Sequence, residues 1–120
     1  MANKRRVFKV AEKARMVLAN ELFHVSDPRF NLVTITTVVV SPDLRNIKAY
    51  WMVSGDAERR AEVAEAFEGA AGLFKRVLAD ELGTRFAPEI RFYYDDTLDT
   101  TENVERLLAI ARSRDKGESA

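Results

Sequence analysis

The residues best suited to chemistry in this chain are cations set at helical and strand spacing. Lys4, Arg5, Arg6, Lys9, Lys13 and Arg15 crowd one short stretch, with only Glu12 opposing them. Lys75 and Arg76 stand together further on, and Arg45 and Lys48 lie on a predicted hairpin. Side chains of this type neutralise phosphates and give salt-sensitive affinity for nucleic acid. The competing reading of each group is an ordinary solvated surface. Tyr50 and Tyr93 are candidates for stacking on bases if exposed, against the alternative that they cover apolar sheet surface.

Catalytic and metal chemistry have thinner support. His24 is the only histidine and the chain has no cysteine. A lone imidazole without a second ligand is a poor basis for a metal site or a catalytic triad. Asp95 and Asp96 are adjacent, so at a strand end they point to different sides. A turn or helix-lead role fits them better than paired acid–base work. No phosphate-binding P-loop is present. The expectation is a protein that is not an enzyme, with no metal and no cofactor.

These residues need elements to hold them. Val7, Val10, Ala11, Ala14, Val17, Leu18 and Leu22 recur at spacings of three and four, which predicts a helix over 5–23. Asp27-Pro28 then breaks the chain. A strand follows over 32–41, dense in β-branched residues. Its phase changes, from Val33 and Ile35 to Val38 and Val40, so a β-bulge is expected near Thr36-Thr37. Pro42, Asp43 and Asn46 supply a turn. A second strand over 47–53 puts Ile47, Ala49, Trp51 and Val53 on one face, with Lys48, Tyr50 and Met52 on the other.

Asp56 is placed to cap a second helical stretch. Gly69 and Gly72 interrupt that stretch, each costing about 1 kcal/mol against Ala. The expectation is two helices meeting at a kink around Ala70-Ala71-Gly72, with Gly83 as the stop. A third strand, 89–94, alternates Ile90, Phe92 and Tyr94 against Arg91 and Tyr93. A last helix over 101–113 carries Val104, Leu107, Leu108 and Ala111 on one stripe, and 114–120 reads as a disordered tail. The order predicts an α+β two-layer domain, a three-stranded sheet with helices on one face.

At 120 residues and 47% hydrophobic composition, a single domain over 1–113 is expected. Net charge is zero, but residues 1–54 carry a surplus of five positive charges and residues 55–120 an equal negative surplus. A basic half can face a polyanion while the acidic half faces away. No apolar run reaches the roughly 20 residues that span a bilayer. No apolar segment of the secretory type follows the N-terminal basic residues, so a cytoplasmic protein without membrane contact is expected.

The element order resembles a type II KH domain, whose signature is a G-x-x-G loop between two helices. Gly69-Ala70-Ala71-Gly72 spells that pattern inside a helical stretch. More specific wording occurs in order: Asp27-Pro28-Arg29, the Thr-rich strand, Val40-Ser41-Pro42-Asp43-Leu44-Arg45, Ala70-Ala71-Gly72 with Leu73-Phe74-Lys75-Arg76, and Pro88-Glu89-Ile90-Arg91-Phe92-Tyr93-Tyr94-Asp95-Asp96. Together these resemble bacterial ribosome-binding factor A over residues 5–110. That family replaces the loop with an Ala-x-Gly kink, matching Ala70, Ala71 and Gly72.

The resemblance implies a monomeric, non-enzymatic assembly factor. It would bind the free small (30S) ribosomal subunit near the neck and 5′-terminal helix region of 16S rRNA. It would support late rRNA maturation, including 5′-end processing, and growth in the cold. RNA contacts would fall on Lys4, Arg5, Arg6, Lys9, Lys13, Arg45, Lys48, Lys75 and Arg76, the last two beside the kink. Many relatives are basic overall, whereas this chain is neutral. Two alternatives stand beside this one. A general single-stranded RNA-binding KH-like module would bind short oligonucleotides without a subunit. A protein-interaction module using the sheet or the acidic stretch 56–68 would show little salt dependence.

Overall fold

A computed structural model describes residues 4–83 and 87–118, with backbone alone for 100–103 and 114–118. Six regular elements form: α1 (Lys4–His24), β1 (Thr34–Val40), β2 (Asn46–Met52), α2 (Ala57–Leu82), β3 (Glu89–Tyr94) and α3 (Thr97–Glu118). A 3-10 turn, Pro28–Phe30, joins α1 to β1. It forms where the sequence breaks the helix: Asp27 accepts from the Arg29 backbone N–H and also grips the Arg29 guanidinium at 2.7 Å. Those bonds hold the Asp27 carboxyl below the usual aspartate range.

The sheet is mixed, in order β1-β2-β3. β1 and β2 are antiparallel, and the register slips between Ile35 and Thr37. Thr36 is thus the extra residue of the expected bulge, and its hydroxyl reaches Asp95 Oδ2 at 2.5 Å. The hairpin turn uses the chemistry predicted for it. Asp43 Oδ1 accepts from the Arg45 N–H and the Ser41 hydroxyl, while Ser41 and Asn46 bond through their backbones. β3 runs parallel to β2, reached through α2 as a crossover.

One face of the sheet carries the core. Ile35, Val38, Val40, Ile47, Ala49 and Trp51 are buried there against Ala14 and Leu18 of α1 and Val63, Ala66, Phe67, Phe74 and Leu78 of α2. Phe67 lies at the centre, with ring centroids 4.4 Å from Phe92, 4.8 Å from Phe30 and 5.4 Å from Trp51. α1 and α2 therefore cover a single face, and no described helix packs on the opposite one.

Three expectations need correction. α2 is one continuous helix of 26 residues, not two helices meeting at Ala70-Ala71-Gly72. The glycine cost is local, while Val63, Ala66 and Phe67 on one side and Phe74 and Leu78 on the other anchor the same apolar face in the core. Asp56 and Gly83 do cap it, the latter in the left-handed conformation with φ 63°. α3 starts four residues earlier than expected, and its helical backbone continues to Glu118, past the expected boundary at Ser113. Of the expected tail, residues 119–120 lie outside the described residues.

The third correction concerns the α3 stripe. Val104, Leu107 and Leu108 are 50%, 67% and 50% exposed. α2 packs against β3 and leaves its inward-facing Ile90, Phe92 and Tyr94 half-buried, and α3 does not fold back onto them. α3 accordingly extends away from the rest of the chain. The radius of gyration is 18.7 Å, against about 14 Å for a compact chain of this length. Its first turn is held by Arg60, whose guanidinium pairs with Asp99 at 2.8 Å and lies 4.4 Å over the Tyr94 ring.

Candidate nucleic-acid interface

α1 presents its cations outward because Ala14 and Leu18 point inward. Lys4, Arg5, Arg6, Lys9 and Lys13 are all exposed. Phe8, Met16 and Phe23 lie among them and are 66%, 65% and 89% exposed, so the outer face of α1 mixes positive charge with apolar surface. Arg15 is different: it pairs with Glu12 at 3.2 Å. His24 Nδ1 sits 2.9 Å from the Asn20 carbonyl oxygen, a contact within the last turn of α1.

The fold gathers several of the predicted cations at one end. Lys4, Val7 and Phe8 share a shallow cavity of about 340 Å³ with Val40 and Pro42, so the start of α1 lies beside the β1–β2 turn. Arg45 stands on that turn, exposed. Its carbonyl oxygen accepts from the Glu89 backbone N–H at 2.8 Å, which brings in the start of β3. Glu89 in turn binds Lys75 of α2, with Nζ 2.5 Å from Oε1. Arg76, one residue on, is exposed. Asp80 and Glu81 also stand near this end of α2.

Lys75 is thus an engaged cation, which its sequence position did not reveal. Hydrogen bonding to Lys75, then its charge, holds the Glu89 carboxyl below the usual glutamate range. Lys48 is exposed on the helix-free face of the sheet, apart from the α1 cluster. Ala70 and Ala71 are half-buried and Gly72 is exposed. A methyl group built on Gly72 meets nothing within 4 Å, so no packing within the domain requires glycine there. Between this part of α2 and β3 lies a cleft of about 420 Å³, lined by Ala64, Glu68 and Ala71 on one side and Ile90 and Phe92 on the other.

The opposite end is acidic. Glu58, Glu62 and Glu65 are exposed on the first half of α2, and Asp95 and Asp99 cluster where β3 meets α3. Asp95 Oδ1 accepts from the Thr97 N–H at 3.0 Å and the Thr97 hydroxyl at 2.6 Å, the helix-lead role predicted for it. Arg59 and Arg60 stand at this end too, and Asp80, Glu81 and Glu89 at the other, so the two ends differ in balance of charge without being single-signed.

The sequence reading does not single out the exposed cation Arg91. Arg91 belongs to β3 and stands in register with Lys48. Its face could be read from the alternation of β3, but not its neighbour, because nothing in the sequence fixes β3 as parallel to β2.

Among the described residues, no group of three or more histidine, cysteine, aspartate or glutamate side chains could hold a metal ion. No described helix is long and apolar enough to cross a membrane. The fold defines an α+β domain with a mixed three-stranded sheet and α1 and α2 on one face. The family model described as Ribosome-binding factor A matches residues 6–108, and the chain belongs to that family.

Individual relatives agree. A ribosome-binding factor A from Thermomicrobium roseum is 42% identical over 95 residues, covering 78% of this chain and 74% of the relative. One from Frankia alni is 37% identical over 116 residues, covering 96% of this chain, which spans 57% of that relative's length. A solution structure of a Thermotoga maritima protein assigned to ribosome-binding factor A superposes with a TM-score of 0.68 at 33% identity, covering 78% of this chain and 90% of that one. At 24% identity and a TM-score of 0.59, the fold is also shared with a Thermus thermophilus homology model fitted into a map of a 30S complex; that match covers 71% of this chain and 90% of that one.

Proposed function

We propose that this protein is a cytoplasmic, monomeric ribosome assembly factor that binds the free small (30S) subunit and acts without catalysis. The family match over residues 6–108 carries the reading. The basic end of the domain supports it, since a divided surface suits a polyanionic partner. In this proposal the domain is KH-like of type II. Ala70, Ala71 and Gly72 shape the binding surface where α2 passes β3. Lys4, Arg5, Arg6, Lys9, Lys13, Arg45, Lys48, Lys75 and Arg76 contact 16S rRNA near the neck and its 5′-terminal helix region.

Binding of this kind acts by differential affinity. Occupancy favours one rRNA arrangement only as far as the protein binds it better than the others. The expected consequences are completion of late maturation, including 5′-end processing, and support of growth in the cold.

The test is co-sedimentation with purified small subunits, large subunits and intact ribosomes at low and moderate salt. Selective, salt-sensitive binding to the free small subunit is expected. A folded Lys75→Glu, Arg76→Glu double variant should bind more weakly, and normal binding by it removes that part of the surface from the proposal. Tight binding to short RNA without any small-subunit preference overturns the assembly-factor reading in favour of a general RNA-binding module.

A further inference from the structure

We infer that the helix-free face of the sheet is a stacking platform for single-stranded RNA, built from Tyr50 and Tyr93 with Lys48 and Arg91. The inference rests on the RNA-binding reading above and adds a second binding surface to it, away from α1; its Arg91 and Tyr93 also border the α2–β3 cleft.

The register places the four residues. Lys48 pairs with Arg91 and Tyr50 with Tyr93 across β2 and β3. β1 completes the rows with Val39 beside Lys48 and Thr37 beside Tyr50. Side chains two apart on a strand share a face at a step of about 7 Å, so a row of two cations lies one step from a row of two aromatic rings. An extended strand of nucleotides can follow that step, with phosphates over the cations and bases over the rings.

No described element uses these residues to cover a core. α1 and α2 occupy the opposite face, where Ile47, Ala49 and Trp51 are buried. Tyr93 is 39% exposed and Val39 49% exposed, and Lys48 and Arg91 are exposed as well. The Tyr50 and Tyr93 ring centroids are 5.7 Å apart with planes tilted by 34°, so the two rings form a side-by-side aromatic surface.

Charge on this face favours a nucleic acid over a protein helix. Three acidic residues bordering it are engaged within the domain: Asp95 with Thr36 and Thr97, Glu89 with Lys75, and Asp43 with Ser41 and Arg45. Asp96 and Asp95 share a shallow cavity with Thr37 and Tyr50, so carboxylate meets the platform at its tyrosine end, away from the Lys48 and Arg91 row. The apolar contribution is Val39 and the half-buried Met52, which stand on either side of the Tyr50 row and form no continuous stripe of the kind an amphipathic helix needs.

The probes are a fluorescein-labelled, randomised single-stranded RNA octamer and purified small subunits. Octamer affinity should fall at least five-fold in a Tyr50→Leu, Tyr93→Leu variant, about the loss of one stacked base. The matching Phe variant should keep near-original affinity, because stacking needs the ring and not the hydroxyl. Titrating octamer into the unaltered protein should shift the ring and amide resonances of both tyrosines, a readout independent of variant folding. Equal binding by a folded Leu variant, or unmoved tyrosine resonances under saturating octamer, overturns the platform and leaves subunit binding standing. Binding to subunits but never to the octamer also overturns it as a sequence-tolerant site. Failure of the unaltered protein to bind either probe overturns the RNA-binding reading and the platform together.

Discussion

Lys75 Nζ lies 2.5 Å from Glu89 Oε1, joining the second half of α2 to the first residue of β3. Glu89 is 69% exposed at its side chain, so the pair contributes little to stability. Its weight falls on binding, because a carboxylate occupies a cation assigned above to phosphate recognition. Replacing Glu89 with Gln should release Lys75 and strengthen small-subunit binding several-fold at low salt. Each further phosphate neutralised steepens the salt dependence by about 0.7 in the logarithmic slope. Co-sedimentation across a salt series measures both, and an unchanged slope excludes Lys75 from the RNA interface.

Gly69 and Gly72 sit inside a continuous helix with open space where a Cβ would go. Replacing either with Ala should raise stability by about 0.5–1 kcal/mol, measured by urea unfolding. The two differ in location, since Gly72 belongs to the proposed binding surface. Weaker subunit binding by Gly72→Ala, with Gly69→Ala unaffected, is the expected pattern.

Phe67 touches Phe30, Trp51, Phe74 and Phe92. Truncation to Ala removes the ring on which α2, the 3-10 turn and two strands converge. A loss of about 3–5 kcal/mol is expected, a large part of the stability of a domain this size. Thermal and urea unfolding monitored through Trp51 fluorescence give the value.

Asp95 links the bulge residue Thr36 to the first residue of α3. Hydrogen bonds from Thr36, then Thr97, hold its carboxyl below the ordinary aspartate value of 3.8. A group depressed in the folded state stabilises above its unfolded value and loses that contribution as pH falls through the folded value. Stability should therefore decline as pH drops below about 4. Asp95→Asn should be less stable at neutral pH and show a shallower acid decline. Equal acid dependence in the two proteins would mean that Asp95 is not a source of it.

The features legible in the sequence share a short-range cause. The bulge at Thr36 shows as a phase change from Ile35 to Val38, and the caps Asp56 and Gly83 show as residue types at helix ends. The misread features depend on what lies far along the chain. Glycine propensity suggested a break in α2, but Phe67 and Phe74 pack on the same core from both sides of Gly72. The stripe on α3 showed amphipathicity, which does not reveal whether any surface remains to cover it. Lys75 looked available because its partner is fourteen residues away, and Arg91 gains Lys48 as a neighbour only through the parallel register.

The separation of basic and acidic ends has a consequence for how the molecule approaches its partner. Glu58 and Arg76 lie about 27 Å apart along α2, several times the screening length of about 8 Å at physiological salt. A neutral chain with unequal charge balance at its ends carries a dipolar component. At a distance, little monopole force draws it to arbitrary polyanions. Within reach of one, the field exerts a torque that turns the Arg45 and Arg76 end inward and the Glu58 end outward. Under the proposed function, neutrality and orientation then arise from the same charges, and the molecule would reach an RNA surface with that end turned toward it.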